Sequence, residues 1–354
     1  MKKTKGVKVL SLVTSLIVMI SGVGVYAEQN KSASNYKTYS KVVAGRNVNV
    51  VEVSSKDMTA YLAIGQNKVG GVQPLANMAK AYSAKVAVNG TFFNAYEKQG
   101  PFSPNGNLIN KGELIHKYDN GTSFTVAKDG SPRIGRLKTS ISATAENTGH
   151  TVGVYGINRK VGAQGIYLYT DKWGKDLGIK SGINIVVNSD GNVVKKVSGE
   201  NVQIPQGGFV LNISGNSEAL LRFAQGCSAG SVVRWKYEVA GLENNDIMLA
   251  IGAGPMVLNN SNKITDIQSY KNEGFTESKI LANSGARSAI GIKSNGNVVI
   301  VTTAAKVSEL GGIMLSLGCS DAMNLDGGAS SGLYANGKLI TTPGRNLSNI
   351  LYFK

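Results

Sequence analysis

The chain has 354 residues, of which 42% are apolar and 17% charged, so it can bury a sizeable core and is neither a disordered nor a fibrous sequence. Glycine is high at 44 residues and proline low at 7, a profile of many strands joined by tight turns. The 38 basic against 22 acidic residues give a net charge of +16; no basic stripe interleaved with aromatics accompanies it, which argues against nucleic acid as a partner.

Residues 1–8 are basic, residues 9–20 are apolar, and Val25-Tyr26-Ala27 has the small-residue spacing of a cleavage site. Residues 1–27 therefore read as a secretory signal peptide, too short for a stable membrane span. Its cleavage would remove four of the 38 basic residues and no acidic one, lowering +16 to +12. The expected product is secreted and extracellular, drawn by its charge to an anionic cell-wall polymer. Residues 28–40, rich in Ser, Asn and Lys, read as a disordered lead-in.

Residues 47–53 and 59–64 alternate like the two strands of a half-buried hairpin. Residues 75–82 have helical spacing behind Pro74, and residues 85–88 form a short strand running into Asn89-Gly90-Thr91. Further strands are punctuated by turns at Lys128-Asp-Gly130, Ser189-Asp-Gly-Asn192 and Ser294-Asn-Gly-Asn297. Residues 217–225 and 307–317 complete the helices. Many strands with a few helices, lacking regular βαβ alternation and any internal linker, predict an α+β fold: one domain over residues 41–354, with short strands in mixed sheets. Cys227 and Cys319 read first as buried small residues and second as a disulfide.

Two histidines, His116 and His150, without an HExxH motif or a Cys/His cluster, argue against zinc. There is no GxSxG elbow and no P-loop, and Gly162-Ala-Gln-Gly165 reads as turn chemistry. What remains is polar residues at strand ends. The richest stretch is Asp321-Ala-Met-Asn-Leu-Asp-Gly-Gly-Ala-Ser-Ser331. Residues 323–325 predict a buried strand, Asp326 interrupts it, Gly327 and Gly328 permit a turn, and Ser330 and Ser331 add hydroxyls. A carboxylate facing an amide-lined loop suits an anionic or polyhydroxylated ligand; the alternative is a capping Asp in a Gly-Ser hairpin. Asn89 could aim its amide into a cleft or simply make an Asn-Gly turn. Arg287, in Ala286-Arg287-Ser288-Ala289-Ile290-Gly291, offers a fork for phosphate, against the plainer reading of a structural Arg. Arg345 puts a second cation after the last hairpin.

In combination these stretches resemble the phosphodiester glycosidase family, to which the uncovering enzyme that removes N-acetylglucosamine from phosphorylated mannose belongs. Asn89-Gly90-Thr91-Phe92-Phe93, Ile157-Asn158-Arg159, Tyr167-Leu-Tyr-Thr170, Trp173-Gly174, Gln203-Ile-Pro-Gln-Gly-Gly-Phe-Val210, Gly252-Ala-Gly-Pro255, Ala286-Arg287-Ser288-Ala289-Ile290-Gly291 and Asn324-Leu-Asp326-Gly-Gly328 occur in that family's order, over about residues 80–353. One departure is visible: where family members often carry Asp-Gly-Arg after the strand at 298–301, this chain has Thr302-Thr-Ala-Ala-Lys306. The resemblance implies a hydrolase that cleaves a sugar from a phosphodiester-linked glycan of cell-wall or extracellular polysaccharide. Asp326 and Arg287 are then the expected catalytic pair. Asn89, Gly90, Thr91, Asn324, Gly327, Gly328, Ser330, Ser331 and Arg345 would bind substrate. No cofactor is expected, although an oxygen-ligated Ca²⁺ on Asp326 or Asp321 is the open alternative. The competing functional class is a non-catalytic module that binds cell-wall polysaccharide or exopolysaccharide in the same groove.

Overall fold

A computed structural model describes residues 35–162, 164–240 and 246–354. The signal peptide expectation lies outside the described residues. Residues 35–354 form one compact unit.

Among the described residues, strands dominate and helices are few and short, the longest being Val307–Ser316. The fold is thus mostly β and richer in strand than the α+β class expected from sequence. Among the described residues the ladders are antiparallel except for Gly156–Ile157 against Gly165–Thr170, so one sheet there is mixed. Periodicity cannot separate these cases, because a strand's alternation is the same whichever way its neighbour runs.

Three predicted hairpin turns join paired neighbours: Thr122–Ala127 with Pro132–Arg136, Ile183–Val187 with Val193–Ser198, and Gly285–Lys293 with Val298–Ala305. The fourth hairpin does not form as expected. Arg46–Val53 pairs with Tyr36–Val43 and Val298–Ala305, whereas Ala60–Ile64 pairs with Asn349–Phe353 in another sheet. Strand Tyr36–Val43 also begins inside the expected lead-in, so order starts earlier than residue 41. Its inner residues are mostly exposed, and that polarity is what hid it: an edge strand held by its ladder needs few apolar side chains.

Two sheets position the site. The larger has seven strands, and in its interior Cys319–Asn324 lies between Gly285–Lys293 and Met256–Asn259. In a five-stranded sheet Val86–Asn89 lies between Leu333–Ala335 and Asn349–Phe353. One apolar core joins the two, with Val86, Val88, Ile290, Met323, Leu325 and Leu333 in the same cluster. The chain passes from Cys319–Asn324 in the first sheet to Leu333–Ala335 in the second, and Asp326 lies on that crossing. Both cysteines are buried and unbridged.

Candidate active site

The crossing segment is pinned by main-chain hydrogen bonds from three directions. Asn324 N donates to Pro255 O at 3.0 Å, Leu325 N to Ser288 O at 2.9 Å, and Asp326 N to Gly90 O at 3.1 Å. Strand ends from both sheets therefore fix the backbone that carries the carboxylate. Gly90 is required by this approach, because a Cβ there would stand 2.0 Å from Asn349 Oδ1. Asn349 Oδ1 in turn accepts the Thr91 N–H at 2.9 Å.

Asn89 is buried, and both polar atoms of its side chain are engaged inside the protein. Its Nδ2 donates to the Asp326 carbonyl at 2.7 Å, while its Oδ1 accepts Ser288 Oγ at 2.6 Å and Gly332 N at 3.0 Å. Asn324 is also buried, and its Nδ2 donates to Gly254 O at 2.9 Å. Asn89, Gly90, Thr91, Asn324 and Ser331 thus stand behind the site, not on its surface; the buried hydroxyls of Thr91 and Ser331 lack a hydrogen-bond partner.

The surface itself is a cavity of about 450 Å³. It brings together Asp326, Gly327, Gly328, Ser330, Arg287 and Arg345 from the expected set. Asp326 is partly exposed at the cavity wall. Its carboxylate accepts Gly327 N at 2.9 Å and a hydrogen bond from Ser330. Burial pushes its pKa up to about 6, and the Ser330 hydroxyl, the Gly327 N–H, Arg345 and Lys279 act in the opposite direction. The desolvation outweighs the donors, so this carboxylate titrates well above the usual carboxylate range.

Arg287 is held tightly. Nε donates to Ala305 O at 3.2 Å, and Nη2 to Lys279 O at 2.5 Å and Asn283 O at 2.8 Å. Three of its five N–H groups are thereby committed to backbone, and the Nη1 end lies beside Gly327. This corrects the expectation of a free two-pronged fork: only the Nη1 edge remains for a ligand. Burial lowers the Arg287 pKa and the Asp326 charge opposes that shift.

Four contributors escaped the sequence reading. Lys279, on the four-residue helix Ser278–Leu281, lines the cavity and pairs with Glu277 at 2.6 Å. Tyr96 lies against Arg345, with the guanidinium 4.8 Å from the ring centroid and Nη2 donating to the phenol oxygen at 3.0 Å. Phe275 and Tyr118 supply further aromatic wall. A helix of one turn is too short to show a period, and an isolated Tyr in a loop carries no pattern. Lys306, at the family departure, caps helix Val307–Ser316 through Glu309 and is not part of the cavity wall.

Among the described residues no group of three or more His, Cys, Asp or Glu side chains converges. Asp321 has Oδ1 accepting Asn260 N at 3.0 Å and Oδ2 accepting Ser320 Oγ at 2.7 Å, and it lies outside the cavity.

No curated protein matches the chain. A hypothetical protein from Synechocystis has the same fold, with a TM-score of 0.76 at 22% identity over 90% of this chain. This chain spans 61% of that protein's length. A Burkholderia pseudomallei protein superposes with a TM-score of 0.73 at 20% identity, over 87% of this chain and 74% of its own. The catalytic domain of zebrafish N-acetylglucosamine-1-phosphodiester alpha-N-acetylglucosaminidase reaches only 0.46 at 13% identity, over 90% and 81% of the two chains. The family profile described as phosphodiester glycosidase matches residues 181–354, the stretch that contains Arg287, Asp326 and Arg345. Over residues 181–354, just under half of the chain, this protein is thus similar to the phosphodiester glycosidase family.

Proposed function

We propose that this protein is a secreted hydrolase that cleaves a sugar from a phosphodiester-linked glycan, acting on cell-wall or extracellular polysaccharide. The observation that carries the reading is the pairing, in one cavity, of a carboxylate titrating near 6 with the cationic edges of Arg287, Arg345 and Lys279. The family match over residues 181–354 supports the reaction class, and the basic, apolar, small-residue order of residues 1–27 supports secretion.

Such a substrate joins the anomeric carbon of a sugar to a phosphodiester. Water adds to C1, the C1–O bond breaks, and a phosphate monoester leaves. That leaving group is a weak base and needs little protonation, unlike the alkoxide expelled in ordinary glycoside hydrolysis. One carboxylate then suffices. Ionised Asp326 balances the positive charge growing at C1 and faces the attacking side as nucleophile or base. The cations absorb charge growing on phosphate. Tyr96, Tyr118 and Phe275 give the sugar apolar walls. None of these steps calls for a cofactor, and we assign none.

The test is a panel of chromogenic sugar-1-phosphodiesters beside the matched neutral glycosides. Turnover restricted to the phosphodiesters, and lost in Asp326→Asn, is the expected result. Saturable binding without turnover in any member would replace the enzyme with a glycan-binding module.

A further inference from the structure

A second groove, of about 860 Å³, lies where residues 66–72 meet residues 100–102 and 173–181. Its ionisable lining is Lys68, Lys160 and Lys180 against a single carboxylate, Asp176. Asp176 already accepts Gly178 N at 2.9 Å and Asn201 Nδ2 at 2.5 Å. Lys160 pairs with Glu97. Lys68 and Lys180 are exposed, so the groove presents uncompensated positive charge.

Two aromatic rings, Phe102 and Trp173, share this lining. Trp173 is immobilised in advance: Nε1 donates to Leu177 O at 2.9 Å, and Tyr169 packs edge-on with centroids 5.2 Å apart. The main chain that carries Phe102 is held through the Phe102 N–H to Gly70 O at 2.9 Å. Gly70, at φ +77°, is needed there because a Cβ would come within 2.4 Å of Pro101 Cβ. A fixed Trp173 ring and a Phe102 ring on a pinned backbone, beside exposed ammonium groups, suit a sugar ring carrying nearby negative charge, since the backbone and one ring need no further ordering on binding.

The groove is tied to the catalytic cavity by one loop. Asn94 N donates to Ser103 O at 3.0 Å and Asn105 N to Phe92 O at 2.7 Å, closing the base of residues 92–105. Phe92, Phe93, Tyr96 and Asn105 of this loop line the cavity, while its Gly100, Pro101 and Phe102 line the groove. Tyr96 and Phe102 are six residues apart, no more than about 20 Å along the chain. That is the reach of a few sugar units.

We propose that this groove binds an anionic polysaccharide chain, its charge carried by phosphate or carboxylate. Its service as a remote subsite for a polymeric substrate rests on the glycosidase reading; the binding itself does not.

The experiment measures affinity calorimetrically for poly(glycerol phosphate), for polygalacturonate and for neutral dextran of matched length. The full-length chain is compared with Lys68→Glu/Lys180→Glu, Phe102→Ala and Arg345→Ala. The expected result is binding of at least one polyanion ~10-fold tighter than dextran. That preference should be lost in the double lysine variant, weakened ~10-fold in Phe102→Ala and kept in Arg345→Ala. Hydrolysis of a short sugar phosphodiester should be unchanged in the double lysine variant. Preference for the phosphate polymer alone would assign phosphate as the charge; binding of both polyanions would assign charge density. Equal binding of dextran, or unchanged affinity in the double lysine variant, overturns the proposal. Retained polyanion binding with no turnover of any substrate would sink the glycosidase reading and leave the groove standing.

Discussion

Asn89 donates from Nδ2 to the main-chain carbonyl of Asp326 at 2.7 Å, across a separation of 237 residues. The amide therefore sets where the catalytic candidate's backbone lies, and its other atom ties Ser288 and Gly332 to the same point. Asn89→Ala removes one donor and one acceptor and leaves three buried partners unsatisfied, each at about 1–3 kcal/mol before relaxation. We expect a lower Tm and a fall in kcat greater than any rise in KM. Asn89→Asp keeps the acceptor but loses the donor to Asp326 and adds a buried charge, so it should not rescue turnover. Steady-state kinetics with thermal melts decide it: unchanged kcat in a folded Asn89→Ala would remove the positioning role.

Asp326 predicts a pH profile of definite sign. Its pKa rises from 3.8 to about 6, and every role assigned to it uses the ionised form. The kcat/KM on a sugar phosphodiester should therefore climb with pH through a midpoint near 6 and then level. A profile that falls through that midpoint would make Asp326 an acid and reject the proposed chemistry.

The same shift has a consequence for stability. A carboxyl whose folded pKa lies above its unfolded value contributes stability that is fully present below pH 3.8 and lost as pH rises through about 6. Above that, the ionised group costs about 2–3 kcal/mol relative to the unfolded chain. Asp326→Asn should raise Tm by a few degrees at pH 7.5 and lose that advantage by pH 4. Melting curves at the two pH values test it; a lower Tm at pH 7.5 would mark Asp326 as a structural cap.

Much of this site was legible in sequence because its parts fall at strand ends, where an apolar run stops and a polar residue starts. Asp326, Gly327, Gly328, Ser330, Arg287 and Arg345 all meet at one cavity. Sequence could not tell which polar residues face the cavity and which face inward. Asn89 and Asn324 look like ligand-binding amides until their partners, 237 and 70 residues away, are seen. Strand pairing was legible only where a short turn joined the partners. Ala60–Ile64 finds Asn349–Phe353 through the whole length of the chain, a pairing that no local pattern encodes.

Activity should survive EDTA. Asp321 is engaged by Asn260 and Ser320 away from the cavity, which leaves Asp326 without a second carboxylate partner from that strand. An oxygen site for Ca²⁺ takes six to eight ligands. Full activity after chelation and gel filtration is the expected outcome, and calcium-restored activity would refute it.

The three cations of the cavity differ in what each one holds. Arg287 is committed to Ala305, Lys279 and Asn283 carbonyls, so it holds the short helix Ser278–Leu281 against the sheet and offers substrate only Nη1. Arg287→Lys loses the planar fork that reaches three carbonyls, and Arg287→Ala leaves all three without it. Both should lower Tm and depress turnover together. Arg345 instead stacks on Tyr96, which is 84% exposed, and Lys279 pairs with Glu277 at the surface; neither anchors the fold. Arg345→Ala and Lys279→Ala should leave the stability within about 0.5 kcal/mol of wild type. Each should raise KM for phosphodiesters several-fold, with little effect on neutral glycosides if these are cleaved. Measured on matched substrates, a phosphodiester-specific defect in Arg345→Ala and Lys279→Ala places phosphate recognition on the exposed rim of the cavity. The same specific defect in a fully stable Arg287→Lys would move it to the buried Nη1 edge, and equal losses on both substrate classes in all the variants would remove phosphate recognition from this cavity.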